Sequence, residues 1–434
     1  MKGQQSMQQF KASRYKHNYL LLVLEGSLFM GGIGFINSST VVPVFINMIT
    51  HSKELVGLTL ALGSFFTYFG RLLIGPFVPH VKDHARFATA IMFICRPLIM
   101  LVPLFIFFRY YSVSVFVLVV TYSIFWLADG FVVPSWSEVL ANTVDGERHG
   151  RLLGLQMLIG GAASIGAGLL VNVFFNDPTL DTHMAFGFVF LIGALLLIAS
   201  CFAMAFTQNA AHDSTKGKVR FREYYRELPG YLFKEKDNTR MLIVQFLLMV
   251  AGMSIPFVIL FSTEMLKLPA GVGAQLIIAQ SIGTPLGGWL WGQVCDRMGC
   301  KTGIKFAGVN ILLISTLPLL AIVFTGVSPL LFILPAMFLA GVNGGVWTCS
   351  YLYTVQVVRP TSRPACLVLV SLVTLPATFS SYAAGLIIQK FGYVPLFVVC
   401  VLISAISIAF SCTIRPIETV VRERDERDKQ AQRA

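Results

Sequence analysis

Apolar residues recur in twelve long runs separated by short polar stretches, at roughly 18–46, 55–79, 87–108, 113–140, 152–175, 184–206, 241–266, 271–294, 303–325, 328–357, 365–388 and 393–414. A helix needs about 20 such residues to cross the hydrocarbon core, where no water satisfies exposed backbone groups. The pattern predicts an all-α integral membrane protein with twelve transmembrane helices. The one long polar connection divides them six and six: an N-terminal bundle over 1–206, a linker over 207–240, a C-terminal bundle over 241–414 and a tail over 415–434. The linker interleaves Lys216, Lys218, Arg220, Arg222 and Arg226 with Tyr224 and Tyr225, a composition that suits a short amphipathic helix at the lipid headgroups or a solvated connection. The tail alternates Arg, Glu and Asp and is expected to fray.

Weak internal repetition points to two related halves. Gly75 and Gly292, near the ends of spans 2 and 8, are 217 residues apart, and Gly168 and Gly385, in spans 5 and 11, repeat that offset. Trp136 precedes Arg148 by 12 residues after span 4, and Trp347 precedes Arg359 by 12 after span 10. Corresponding positions in the same order of spans are the mark of a duplicated bundle.

Composition agrees with lipid as the solvent. Apolar residues make up 56% of the chain and charged ones 12%, too little polar surface to cover a soluble globule of 434 residues. The net charge of +12 falls between the spans and not on one basic domain, which excludes nucleic acid as a partner. With an even number of crossings both termini share a face; 27 Lys and Arg lie on that face, against only Lys53, Arg109, Lys267 and Lys390 on the other. Positive loops stay inside, so both termini are expected in the cytoplasm of a multi-pass cell (inner) membrane protein. The first apolar run is too long for a signal peptide. The eight cysteines form no C-x-x-C pair and no metal-type spacing, and read as small core residues.

Four ionisable residues lie well inside apolar runs of the first half: Glu25, Arg71, Arg96 and Asp129. At about 1.5 Å per residue, all four fall roughly 10 to 17 Å from the ends of their runs, so they can share one layer. Each costs about 2.5 to 3.5 kcal/mol near the bilayer centre if unpaired. Two acids and two bases sum to zero, which predicts pairing of Glu25 and Asp129 with Arg71 and Arg96 towards the bundle interior. Such a network either fixes the helices or carries a proton. Burial favours a protonated carboxyl and a nearby guanidinium favours the ionised one, so moving an arginine away turns a fixed anion into a proton acceptor.

Where span 8 leaves the membrane the chain reads Gly292-Gln-Val-Cys-Asp296-Arg297-Met-Gly299-Cys-Lys301. Gly292 suits close helix approach and Gly299 a tight turn, Arg297 and Lys301 suit anionic headgroups, and Asp296 suits a base or a helix N-terminus. This signature after an even-numbered span of a six-plus-six chain resembles the major facilitator superfamily of secondary transporters, over nearly the whole length. The resemblance implies two pseudo-symmetric six-helix bundles and a cytoplasmic latch at Asp296 and Arg297, reaching Arg359 or Arg363. The copy expected after span 2 is degraded, with Pro79 and His80 at the acidic and basic positions. The exit of span 4, with Asp129, Gly130, Pro134, Arg148, Gly150 and Arg151, is similar to the family pattern, but the arginine often found inside that span is missing. The run Gly160–Gly168 resembles the glycine-rich motif of family antiporters without its proline, and close helix packing explains it equally well.

In the resembled family spans 1, 4, 7 and 10 line the cavity. That implies Asp129 first, and Glu25 second, as the proton-carrying acid. It also implies substrate contacts among Asn37, Ser38, Trp126, Gln245, Ser254, Asn343 and Trp347, although such residues often serve only as interhelical hydrogen bonds. Breaks are expected at Pro256, Pro285, Pro376 and Gly341–Gly345. The expected activity is monomeric, alternating-access transport of a small organic solute, coupled to protons, with antiport or efflux favoured and no cofactor or metal. The alternative is a non-transporting receptor or scaffold on the same fold. An integral membrane enzyme is disfavoured, because no H-E-x-x-H, Gly-x-Ser-x-Gly or phosphate-binding loop is present.

Overall fold

The computed structural model describes residues 2–144, 146–176, 180–208, 221–234, 236–269, 271–358 and 363–433. Every regular element among them is helical. Among the described residues eleven helices are long and apolar enough to cross a membrane. The twelfth crossing is Gly271–Met298, a 28-residue helix whose mean hydropathy is lowered by Gln275, Gln280 and its glycines. The twelve expected crossings are therefore all occupied by helices.

Span 1 departs from its expected form. Its helix begins at Lys2, stops at Phe35 and resumes as Val41–Thr50. Asn37 causes the break: its side chain accepts from the Ser39 amide at 2.8 Å, and an Asx turn of this kind competes with the helical ladder. Spans 7, 10 and 11 carry short 3₁₀ segments at Gly252–Phe257, Asn343–Gly345 and Pro376–Phe379, where breaks were expected. Span 3 has a further one at Arg96–Met100, entered through Pro97, which the pattern did not disclose. Pro285 is different, since it lies inside the uninterrupted helix of span 8.

Within the first half, span 1 packs on spans 5 and 6, span 2 on span 4, and span 3 on spans 4 and 6. The second half repeats the scheme with span 8 on span 10, and span 9 on spans 10 and 12. The halves meet through span 5 against span 8 and span 2 against span 11. The glycines 217 residues apart lie at these two seams: a side chain on Gly168 would meet Ile277 and Ile278 of span 8, and one on Gly385 would overlap the Lys53 carbonyl of span 2. Small residues let the backbones approach there. Gly292 is a correction, because nothing lies within 4 Å of where its side chain would be. It is not a close-approach glycine in this conformation.

At the face carrying both chain ends, the linker forms a helix, Phe221–Lys234. Leu228 is buried, and Tyr225, Tyr231 and Leu232 pack with it on the second half. Tyr225 donates to the Leu72 carbonyl of span 2, so these side chains turn to the protein and not to headgroups. Lys216, Lys218 and Arg220 lie outside the described residues. The tail is also a correction: Ile417–Arg433 is a helix, not a frayed end. Arg415 holds it by pairing with Glu423 and with Asp237, in the first turn of the helix Lys236–Ala251 that enters span 7, while Arg424 donates to the Val357 carbonyl of span 10 at 3.2 Å. All eight cysteines are unbridged.

Candidate functional site

The acid and base with the deepest burial meet directly. Glu25 of span 1 and Arg96 of span 3 are 4% and 5% exposed and lie 3.4 Å apart. The second oxygen of Glu25 accepts from the Trp136 indole of span 4 at 3.0 Å. Arg96 also donates to Ser200 of span 6, and its guanidinium stands 4.7 Å from the centre of the Phe29 ring. Four spans of the first bundle thus neutralise one charge pair. Removing either partner would leave a buried ion without compensation.

The other acid and base remain apart. Gly70 of span 2 and Gly130 of span 4 cross so closely that a side chain on either would strike the other helix's backbone. Arg71 and Asp129 flank that crossing. Neither makes an ion pair within 4.0 Å or a hydrogen bond with the described residues, and the Arg71 Nε is buried without a partner. Asp129 instead borders a small crevice with Met92, Cys95, Arg96 and Phe125. The expected layer of two closed pairs therefore holds one. The helix of span 2 ends at Ile74 and not near 79, which places Arg71 in the last turn, about 4.5 Å from the helix end.

The seven expected cavity residues divide. Asn37 and Ser38 stand at the break of span 1, and Trp126 packs edge-on against Tyr122 and Phe125. Gln245 keeps a buried side-chain oxygen without a partner among the described residues. Trp347 is 54% exposed and meets Tyr351 edge-on. Ser254 is a correction: it is fully buried and bonded to Ser315 of span 9 at 3.1 Å, inside the second bundle. Asn343 likewise accepts from Asn310 of span 9 at 3.4 Å, an interhelical bond.

The signature loop has its turn at Gly299, where φ is +83°, a conformation that favours glycine. Asp296 and Arg297 are exposed, with no ion pair between them and the described residues. Lys301 donates to the Cys412 carbonyl at 3.4 Å and so anchors the loop to span 12. Arg148 stacks 4.9 Å above Tyr15, and Arg151 is exposed. Arg359 and the side chain of Arg363 lie outside the described residues. In the degraded copy after span 2, Asp83 caps span 3 by accepting from the Arg86 amide at 3.1 Å.

The opposite face holds a cluster that the pattern of spans did not reveal. Glu264, at the end of span 7, accepts from Lys53 of span 2 at 2.6 Å, from Asn47 of span 1 at 2.6 Å and from Tyr393 of span 12 at 2.8 Å. Lys53 also reaches the Asn47 oxygen at 2.5 Å, and Tyr382 of span 11 donates to Glu54 at 2.8 Å. These bonds join the two halves. Their only trace in the sequence is a charge at a span end, which ordinarily means contact with water. Among the described residues no group of three or more His, Cys, Asp and Glu could hold a metal ion.

Comparison with known proteins places this geometry. A family model described as Major Facilitator Superfamily matches residues 24–368. No curated protein matches the chain significantly. Among solved structures, a D-xylose-proton symporter aligns with a TM-score of 0.68 at 12% identity, covering 94% of this chain and 99% of its own. A POT family transporter in complex with 5-aminolevulinic acid gives 0.68 at 12%, covering 91% and 96%. A bacterial homologue of the human lysosomal transporter Spinster, inward-facing and unoccupied, gives 0.63 at 15%, covering 94% and 98%.

Proposed function

The chain belongs to the Major Facilitator Superfamily, and from that premise we propose that it is a proton-coupled secondary transporter moving a small organic solute by alternating access. The observation that carries the reading is the Glu264 cluster. It ties spans 1 and 2 of one half to spans 7 and 12 of the other at a single end of the molecule. Spans 2 and 11 also bring their backbones together near that end, where a side chain on Gly57 or Gly385 would strike the other helix, whereas one on Gly75 at the other end would only touch the Val368 side chain. A joint made of hydrogen bonds at one end can break and re-form while each bundle stays intact.

On this reading the protein acts as a monomer in the cell membrane, with its bundles bounded at 1–206 and 241–414. The basic termini and linker face the cytoplasm, the Glu264 end faces outward and the conformation is closed to the outside. Asp129 is the proton carrier, being the one of the two intramembrane acids that has no ion pair or hydrogen bond among the described residues, and Glu25 is held by Arg96 and Trp136. Gln245 and Trp347 remain candidates for cargo contact. Antiport and efflux rest on the resemblance of Gly160–Gly168 alone, since Gly160, Gly161 and Gly168 also serve to pack span 5 on spans 1 and 8.

The test is purified protein in liposomes loaded with a pH indicator and challenged with pooled solutes. Proton movement with one pool, lost in Asp129→Asn, supports the reading. Wild-type coupling in Asp129→Asn removes that residue from the mechanism. A folded protein silent with every pool favours the receptor alternative.

A further inference from the structure

We propose that Arg71 is the docking point for the charged head of the cargo, and that the cargo is a small organic anion bearing a carboxylate or similar oxyanion. This rests on the transport reading above and adds to it the chemical class of the solute.

The faces of span 2 locate Arg71. At about 100° per residue, Gly63 and Gly70 share the stripe that meets Tyr122, Leu127 and Gly130 of span 4. Gly57 and Gly75 share a second stripe, against Ser381 and Val368 of span 11, with Phe65 beside it on Phe379. Leu58, Leu62, Phe66, Phe69 and Leu73 fill one of the two remaining sectors and are wholly apolar, as an acyl-facing stripe should be. The other sector, between span 4 and span 11, carries Ser64, Thr67 and Arg71 beside the buried Leu60 and Ile74. With span 4 of its own half on one side and span 11 of the other half on the next, that sector lies at the seam between the two halves.

Among the described residues no side chain pairs with or hydrogen-bonds to the guanidinium there. Its Nε is buried without a partner, and its closest aromatic support is Tyr68 of its own helix, 5.7 Å from the ring centre. Glu25 is committed to Arg96. The apolar runs of the facing half supply no charge, because 241–263, 271–294, 306–357 and 364–389 contain no Asp, Glu, Lys or Arg. An arginine fork binds carboxylates and related oxyanions through two parallel bonds, whereas a cationic or neutral cargo leaves the buried donors unsatisfied. Asp129, across the Gly70–Gly130 crossing, sets the sign of coupling. A proton on Asp129 removes the carboxylate that would compete for Arg71, so proton and oxyanion favour each other in one state. For such a cargo, co-transport replaces antiport as the electrostatically favoured mode.

The test uses proteoliposomes with an internal pH indicator and three probe pools: gluconate, quinate and benzenesulfonate; choline and tetraethylammonium; glucose and mannitol. The expected result is flux with the anion pool alone, with protons moving in the same direction as the anion. Arg71→Gln should lower that flux by about tenfold or more while eluting as a folded monomer, and Arg71→Lys should retain part of it. Flux with the cationic or neutral pool that survives Arg71→Gln overturns the inference and leaves the transporter reading standing. Silence of the wild type with all three pools overturns both.

Discussion

Asn47 and Glu264 lie 217 residues apart, the offset that relates Gly75 to Gly292 and Gly168 to Gly385, and they hydrogen-bond to each other at 2.6 Å. Equivalent positions of a duplicated chain meet where its pseudo-twofold axis passes between the halves. The symmetry is broken in chemistry: one copy supplies an amide and the other a carboxylate, which also holds Lys53. A symmetric pair of carboxylates would repel there. The asymmetric pair makes a joint.

Lys53→Met or Glu264→Gln should loosen that joint. Lys53 is largely buried and Glu264 is 35% exposed, so the pair contributes about 0.5 to 2 kcal/mol to the closed end, a several-fold change in population. The measurement is labelling of a cysteine placed at Ser381, beside Gly57, by a membrane-impermeant maleimide. Both variants should label several-fold faster, and the exchanged pair Lys53→Glu with Glu264→Lys should return the rate towards the parent's.

Glu25→Gln and Arg96→Met should each lower stability by about 3 to 5 kcal/mol, because each strands a buried ion. The double variant should lose less than the sum. Thermal unfolding in detergent of the four proteins gives the coupling, and strict additivity would show that the two side chains act separately.

The two glycines of the signature loop should behave differently. Gly299→Ala forces a side chain into an extended positive-φ conformation, φ +83° and ψ +148°, and should cost about 1 to 3 kcal/mol. Gly292→Ala points into open space and should leave the melting temperature unchanged. A large loss at Gly292 would mean that the close approach expected there occurs in the opposite conformation.

Arg415→Ala should release the tail helix. The side chain joins Glu423 to Asp237, and its loss leaves in place the Tyr353 bond to the Arg415 carbonyl and the Arg424 bond to the Val357 carbonyl. The chain should be cut faster by trypsin within 417–433, with transport and melting temperature little changed, since exposed pairs contribute about 1 kcal/mol or less.

The sequence made the membrane architecture legible because hydropathy is local. Each apolar run determines its own helix whatever its neighbours, and the cost of isolated charges in lipid foretold that Glu25 and Arg96 would find partners. Gly299 was also legible, since a turn needs only its own backbone. Span 1 was read too simply, because the Asx turn at Asn37 lies within an apolar run and is invisible to periodicity.

What the sequence determined by itself, then, is the solvent, the count of crossings and the division into two related halves. The tertiary structure decided which acid meets which base. It paired Glu25 with Arg96, kept Asp129 from Arg71, and carried Glu264 to Asn47 and Lys53 across more than 200 residues. Partner choice depends on how each helix is rotated and how the bundles dock. Those follow from side-chain packing between segments distant in the chain, which no single run of residues encodes.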